Sequence, residues 1–445
     1  MSKAGERGNG LGVRVSAFQR RASIGICAIF LLAGLAWPGG PVRREVALSD
    51  VPVRLREFLP AQEFPRLLDA LKARTAAREQ AGEYDHLIHY LLQSRAFTAR
   101  PRIEPALSAR EWVEGGKAIP EAVRLRMQDF LAALGQPATD VRMAYFQTMN
   151  ADLPLLDREY RRAMDFLYKK EFGAGGAALY QERGHSTDSQ FEANYAVYIG
   201  LAALKSKKPE LALENVLVVG PGLDFAPRTD LMDAYGPQSY QPYAIADALI
   251  ELGLADPARL RIHCIDINSR VVRYFERPAR RLQLISGLAD TPEHPLVAGF
   301  KSYFRKFGGN IGQEYPLAGL PPQYRAHLNK SISVRPEIAA RITADRLNII
   351  TERCDPSPQY DLVVATNIFV YFDPTELLLA LTNLRGMLKE GGYLVHNDPR
   401  SDLERFAREL GLAPIEARTI LISPSATPLY DTVVLHECRR SNSKD

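Results

Sequence analysis

The sequence predicts an α/β fold: an open, mostly parallel sheet with one antiparallel strand, preceded by a helical domain. Three observations predict it. From Leu213 onward, short β-branched runs alternate with helical stretches. The runs are apolar throughout rather than alternating, which suits strands covered on both faces of a parallel sheet. The last two, in "ARTILISPS" and "DTVVLHEC", are separated by only the nine residues Ser423 to Asp431. A parallel crossover needs about a dozen or more, so these two strands should pair antiparallel.

Taken in order, residues 1–40 stand apart. Arg20 and Arg21 precede a sixteen-residue apolar run, Ala22 to Trp37, that ends on the small residues of Gly34-Leu35-Ala36. This reads as a secretory signal peptide or, uncleaved, as a membrane anchor, although a span needs about 20 residues. Membrane association would then run through residues 22–37. A misassigned start codon is the competing reading and would leave the protein cytoplasmic. Residues 41–205 read as a helical N-terminal domain. "FPRLLDALKARTAAREQ" and "PEAVRLRMQDFLAALG" carry apolar residues at three and four spacing, and Pro120 and Gly135 punctuate the second. "DREYRRAMDFLYKKEF" should pack through Tyr160, Met164, Phe166 and Leu167. Next, Ser186 or Ser189 should cap a helix whose Phe191, Tyr195 and Ile199 share a face.

Residues 206–445 form the sheet domain. Its strands are expected in "NVLVVG", "RLRIHCIDI", "LNIIT", "DLVVATN" and "GYLVHND", then the closing antiparallel pair. Helices are expected at "QPYAIADALIELGL" and "PTELLLALTNLRGMLKEGG", with Pro242 and Pro374 in first turns, where a missing N–H costs nothing.

Composition narrows the function. The chain has 445 residues, a net charge of +4 and 46% hydrophobic residues, an ordinary globular balance without the basic excess of a nucleic-acid protein. Cys27, Cys264, Cys354 and Cys438 show neither CxxC nor histidines at ligand spacing, so neither a metal site nor a disulfide framework is indicated. Cys264, inside an apolar run, reads as a small buried hydrophobe.

The chemistry concentrates after the first sheet strand, in "VLVVGPGLDF". Gly220 and Gly222 let the backbone approach a ligand and adopt positive φ. A P-loop is excluded because no GxxxxGK[ST] is present. A dinucleotide fingerprint needs a third glycine where Phe225 stands, and Asp224 would repel a pyrophosphate. S-adenosylmethionine has no phosphate and carries a sulfonium, so an acid beside it is favourable. A plain structural turn is the alternative. The second strand ends on Asp266, followed by Ile267. Asp266 lies 44 positions beyond Gly222, against about 20 in the usual dinucleotide unit. A carboxylate there accepts from both ribose hydroxyls, or else caps the following helix. The intervening loop, "DFAPRTDLMDAYGPQSY", offers aromatics and acids to the pocket.

The fourth strand leads into "YDLVVATNIFVYFDPTELLLALTNLRGMLKEGGYLVHND". Asn367, Tyr371 and Asp373 follow the strand, and Gly391-Gly392 precede the next. Turn, second-strand acid, post-strand run and Gly-Gly, in this order, resemble the class I S-adenosylmethionine-dependent methyltransferases over about Glu214 to Cys438. The run "NIFVYF" and the segment "LPPQYRAHLNKSISVRPEIAARITADRLNIIT" are similar to the chemotaxis-receptor (CheR-type) glutamate methyltransferases. Thr366 stands where that family carries an arginine.

The resemblance implies a Rossmann-like, seven-stranded, mostly parallel sheet with S-adenosyl-L-methionine as cofactor. Cofactor contacts would come from Gly220, Gly222, Asp224, Asp266, Ile267, Asn367 and Arg183, the last from the segment ahead of the first strand. Asn367 and Tyr371 would face the reacting methyl group. The expected activity is methyl transfer to a small molecule or a protein carboxylate, with no nucleic-acid partner. A non-catalytic S-adenosylmethionine-binding module on the same fold is the alternative.

Overall fold

The computed structural model describes residues 42–173, 176–189, 191–224, 233, 235–276, 281–355 and 360–439. The apolar run at 22–37 lies outside them. Among the described residues no helix is long and apolar enough to cross a membrane.

The described chain opens with β1 (Arg43–Glu45) and the 30-residue helix α1 (Phe64–Gln93). Helices α2 (Pro105–Glu114), α3 (Glu121–Leu134), α4 (Val141–Gln147), α5 (Leu153–Phe172), α6 (Ala177–Gln181) and α7 (Ala193–Lys207) follow. Alternation then begins with β2 (Asn215–Val219), α8 (Gln241–Glu251), β3 (Arg261–Asp266) and α9 (Ser269–Glu276). A second region carries β4 (Arg281–Ala289), α10 (Ala298–Lys306), β5 (Gly312–Tyr315), β6 (His327–Val334) and α11 (Pro336–Ala339). The chain closes through β7 (Ile342–Arg346), β8 (Glu352–Cys354), β9 (Tyr360–Ala365), α12 (Pro374–Met387), β10 (Leu388–His396), α13 (Ser401–Glu409), β11 (Leu412–Ser423) and β12 (Leu429–Cys438).

The main sheet has seven strands in the order β11-β12-β10-β9-β2-β3-β7. The pairs from β7 through β10 are parallel, and β12 runs antiparallel to both β10 and β11. This is the expected mostly parallel α/β sheet with one reversed strand. From β2 the chain builds outward through β3 to β7, then returns to β2's other side as β9. The order therefore switches between β2 and β9, where ligands of open α/β sheets sit at the carboxyl ends of the strands.

Two strand expectations need correction. "LNIIT" is not a strand: the third parallel strand is β7, "ITADR", at the sheet edge. An edge strand is half-solvated and loses the continuous apolar signal. Leu347, Ile349 and Ile350 are buried instead in a turn after β7 that borders the cleft at the strands' carboxyl ends. The second surprise is a separate three-stranded antiparallel sheet, β4-β6-β5, between β3 and β7.

Packing also crosses the boundary expected at residue 205. Val51, Leu55, Phe64, Leu68 and Leu71 share a core with Leu377, Leu381 and Leu384 of α12 on one face of the sheet. Tyr195, Leu201 and Leu204 of α7 join the core on the other face. β1 pairs with β8. The second half of α1, through Leu87 and Leu91, enters a distinct helical core with Trp112, Phe130 and Tyr160. Helix α1 thus belongs to two cores. In α5, Tyr160, Met164 and Leu167 are buried and Phe166 only partly so. Ser186 and Ser189 do not cap α7, whose N-cap is Glu192 without a side-chain bond.

Candidate functional site

A cleft opens at the carboxyl ends of β2, β3 and β9. Each wall follows from local sequence. After β2, Gly220 and Gly222 take φ of +60° and +64°, a region that L side chains avoid. A Cβ at Gly222 would stand 2.6 Å from the Thr187 carbonyl oxygen and 3.1 Å from Ser189 Cβ. Only glycine therefore permits the turn to lie this close to residues 187–189. That segment runs beside the turn like a short strand. Leu223 N–H donates to the Thr187 carbonyl at 2.7 Å, and Ser189 N–H donates to the Leu223 carbonyl at 3.1 Å.

Asp266 ends β3 and faces the cleft, 7% exposed. Its carboxylate accepts from Asn268 N–H at 2.8 Å and from the Gly222 backbone N–H. Burial outweighs these bonds and pushes its carboxyl up to about 7. The helix cap is a different residue: Asn268 accepts the Arg270 N–H at 2.8 Å. Ile267 lines the cleft beside it, its carbonyl accepting from Arg346 Nε at 2.8 Å.

After β9, Thr366, Asn367, Ile368, Tyr371 and Phe372 form the far wall. Thr366 accepts from Gln241 Nε2 at 2.6 Å, both buried. Asn367 has φ +58°, a conformation asparagine tolerates better than most residues. Its side chain pairs with Asn397, which donates at 2.8 Å and accepts the Asn367 N–H at 2.7 Å. Tyr371 packs against His185, ring centroids 5.6 Å apart, and burial pushes its phenol up.

Six of the eight expected site residues, Gly220, Gly222, Asp266, Ile267, Asn367 and Tyr371, line this one cleft. The other two do not. Arg183 lies over the Phe166 ring, 4.1 Å from its centroid, and its Nε donates to Asp85. Asp224 is buried and accepts from the Tyr240 hydroxyl. The loop residues 225–232 lie outside the described residues. Of the loop's remainder, Asp233 accepts from Ser94 and Arg102 of the helical region.

Sequence reasoning missed the contribution of α1. Thr75 lines the cleft. Arg78, 8% exposed, donates to the carbonyls of Tyr180, Arg183 and Tyr371 and approaches Glu376 at 3.5 Å. Arg74 pairs with Asp373 and Glu376, the capping box of α12. Glu83 accepts from Asn268 and Arg270. One helix thus fastens both the post-β3 and post-β9 turns. The sequence signal, arginines and glutamates on one helical face, reads as a solvated surface until the partners are known.

Three polar atoms on the cleft wall are buried without a hydrogen-bond partner: His185 Nε2, Ser189 Oγ and Asn194 Oδ1. Such atoms cost stability unless something bonds them. The other ligand-spaced group among the described residues is His396, Glu404 and His436. Hydrogen bonding accounts for it. His436 Nδ1 faces the Leu412 carbonyl and His396 Nδ1 accepts from Asp398 N–H, which leaves an Nε2–H···Nε2 bond of 3.0 Å between the rings.

Residues 313–398 match the family described as CheR methyltransferase, SAM binding domain. The chain thus resembles the class I S-adenosylmethionine-dependent methyltransferases, with a local CheR-type likeness, and S-adenosylmethionine is the cofactor this match supports. No curated protein matches the chain. Among solved structures it is similar to N-methyltransferase NodS from Bradyrhizobium japonicum WM9 in complex with S-adenosyl-l-homocysteine, at 13% identity, covering 57% of this chain and 90% of that one, TM-score 0.29. It is also similar to magnesium protoporphyrin IX methyltransferase from Synechocystis PCC 6803 with bound SAH, at 9% identity, covering 63% and 94%, TM-score 0.29. With likenesses this low, the fold class rests on the strand order itself.

Proposed function

We propose that the chain is a methyltransferase that binds S-adenosylmethionine in this cleft and presents its methyl group to an acceptor beyond β9. The observation that carries the reading is the convergence, at the switch between β2 and β9, of a positive-φ glycine cradle and a buried acid ending the next strand. Bound S-adenosylmethionine supplies an electrophilic methyl carbon. The protein's part is alignment, which lowers the barrier by fixing the reacting atoms at short range. Gly220 and Gly222 let the backbone lie against the ligand. Asp266 accepts from both ribose hydroxyls, each charge-assisted bond contributing about 1.5–3 kcal/mol. Asn367 and Tyr371 close the end where the acceptor enters.

A phosphate-bearing ligand fits poorly. Asp188 and Asp266 are the charged side chains among the described lining residues, and both would repel it. One observation favours the non-catalytic alternative: Asn367 is committed to Asn397 and the Tyr371 phenol is a weaker acid than usual, so neither is a strong base. Calorimetry with S-adenosylhomocysteine, NAD and ATP tests the cofactor. S-adenosylhomocysteine should bind and the other two should not; equal or tighter NAD binding overturns the reading. Turnover to S-adenosylhomocysteine then separates enzyme from binder.

A further inference from the structure

We propose that Asn397 is a positioning residue for methyl transfer, one that turns the Asn367 amide so that its nitrogen, a hydrogen-bond donor only, meets the methyl acceptor. The inference rests on the methyltransferase reading and adds how the acceptor is held. Sheet topology brings the parts together. β10 runs parallel to β9, with His396 opposite Ala365, so the residue that follows β10 stands beside the turn that follows β9. β12 runs antiparallel to β10, with Val434 opposite His396. Its first residues therefore overhang the same carboxyl end, and Asp431 arrives there from the reversed strand. The side chains of Asn367, Asn397 and Asp431 meet at this point. Of the three, Asn367 lines the cleft and is exposed.

The bonds among them leave one arrangement of the two amides. A backbone N–H can only donate. The Asn367 N–H reaches Asn397 Oδ1 at 2.7 Å, so the Asn397 oxygen faces the backbone and its nitrogen faces the other side chains. The Thr432 N–H reaches Asp431 Oδ1 at 2.7 Å, so that oxygen is an acceptor. Asn397 Nδ2 then donates one proton to Asp431 Oδ1 at 3.3 Å and the other to Asn367 Oδ1 at 2.8 Å. The Asn397 amide is fully used. On Asn367 the oxygen is taken, and Nδ2 has no hydrogen-bond partner among the described residues. Two backbone donors, one at each end of the chain of bonds, thus fix which end of the Asn367 amide is left for a ligand. The same bonds hold Asn367 at φ +58°, a conformation asparagine visits when its short polar side chain bonds locally.

The polarity sets the chemistry. A neutral amide nitrogen takes no proton from an acceptor; it orients one, by donating to a lone pair beside the reacting atom. The acceptor held here carries an oxygen or nitrogen lone pair next to the atom that is methylated. Fixing that atom in line with the methyl group is the protein's part in the step. Asn397 touches neither reactant and acts through Asn367.

The test uses the full chain, with S-adenosylhomocysteine affinity read by calorimetry and transfer read from methyl-labelled S-adenosylmethionine supplied with a cell extract. Asn367→Asp keeps the oxygen that Asn397 bonds and replaces only the free donor by an acceptor. It should keep the melting temperature of the unaltered chain, bind S-adenosylhomocysteine within about threefold, and lose about tenfold or more of the transfer. Asn397→Ala should lose transfer by a similar factor with S-adenosylhomocysteine affinity again within about threefold. Added to Asn367→Ala, it should cost less than about twofold more, because nothing is then left to position. Unchanged transfer by Asn367→Asp overturns the donor assignment, and losses of the two alanine variants that multiply overturn the positioning role. S-adenosylhomocysteine affinity weakened about tenfold in Asn367→Asp puts the amide on the cofactor and overturns the proposal as well. So does an unaltered chain that binds S-adenosylhomocysteine but transfers no label to the extract. Failure of the unaltered chain to bind S-adenosylhomocysteine at all removes the cofactor reading first.

Discussion

Asp266 is the residue on which both ligand and stability measurements converge. Its folded carboxyl sits near 7 against 3.8 for an ordinary aspartate, mainly through burial. Because the folded value is raised, its contribution to ligand-free stability is full below about pH 4 and is lost as pH rises through about 7. Asp266→Asn should therefore flatten the pH dependence of thermal melting between those limits and stabilise the empty protein at pH 8. Ligand binding has the opposite sign, since only the ionised form accepts from both ribose hydroxyls. S-adenosylhomocysteine should bind up to about tenfold more weakly at pH 6 than at pH 8, and Asp266→Asn should erase that slope at lower affinity. The two glycines make a paired prediction. Gly222→Ala drives a Cβ against the Thr187 backbone oxygen, while the same change at Gly220 meets the Ile368 Cδ1, which can rotate away. Gly222→Ala should cost about 2 kcal/mol or more by thermal melting, and Gly220→Ala about 1–2 kcal/mol. Asp266 was legible because it ends an apolar strand run, and the two glycines because a GxG turn directly after a strand marks close backbone approach and positive φ. Arg183 and Asp224 were not, because an irregular segment sets no periodicity and adjacent residues face different ways.

At the scale of elements, α1 decides whether the cleft has a fourth wall. Arg78 and Glu376 are both buried, the latter completely, and removing one partner of such a pair leaves an uncompensated charge. Arg78→Ala should destabilise by about 3–5 kcal/mol. Arg78→Met combined with Glu376→Gln should recover a large part of that loss, because neither charge is then stranded. Thermal melts of Arg78→Met, Glu376→Gln and the double form the cycle, and strict additivity would deny the coupling. Strands β2, β3, β9 and β10 were readable from their apolar runs because both their faces are covered. "LNIIT" misled for the same reason in reverse: its apolar residues are buried without sheet hydrogen bonds, whereas the true strand β7 alternates at the edge. The β4-β6-β5 sheet was missed because its short, mixed-polarity strands fall in a stretch read only as the approach to the next parallel strand.

The whole molecule sets how far the sheet can exist without what precedes it. An alternating βα pattern beginning at Leu213 invites a domain that starts near residue 206, but the cores say otherwise. One face of the sheet is covered by α12 together with Val51, Leu55, Phe64 and Leu68, each at most 6% exposed. The other face needs Leu201 and Leu204 of α7, both fully buried. A chain starting at residue 206 would expose Leu377, Leu381 and Leu384 of α12 and strip the cover from Val433 and Leu435 of β12. Burial of one leucine or phenylalanine side chain contributes about 1.5–3 kcal/mol, and a domain has only about 5–15 kcal/mol in total. Losing six such residues is comparable to that whole margin. Residues 42–445 should therefore melt in a cooperative transition, while residues 206–445 should show no cooperative melt and should bind an exposed-hydrophobe dye before heating. A cooperative melt of residues 206–445 would mean that the sheet carries its own core and that α1 is only a cover over the cleft.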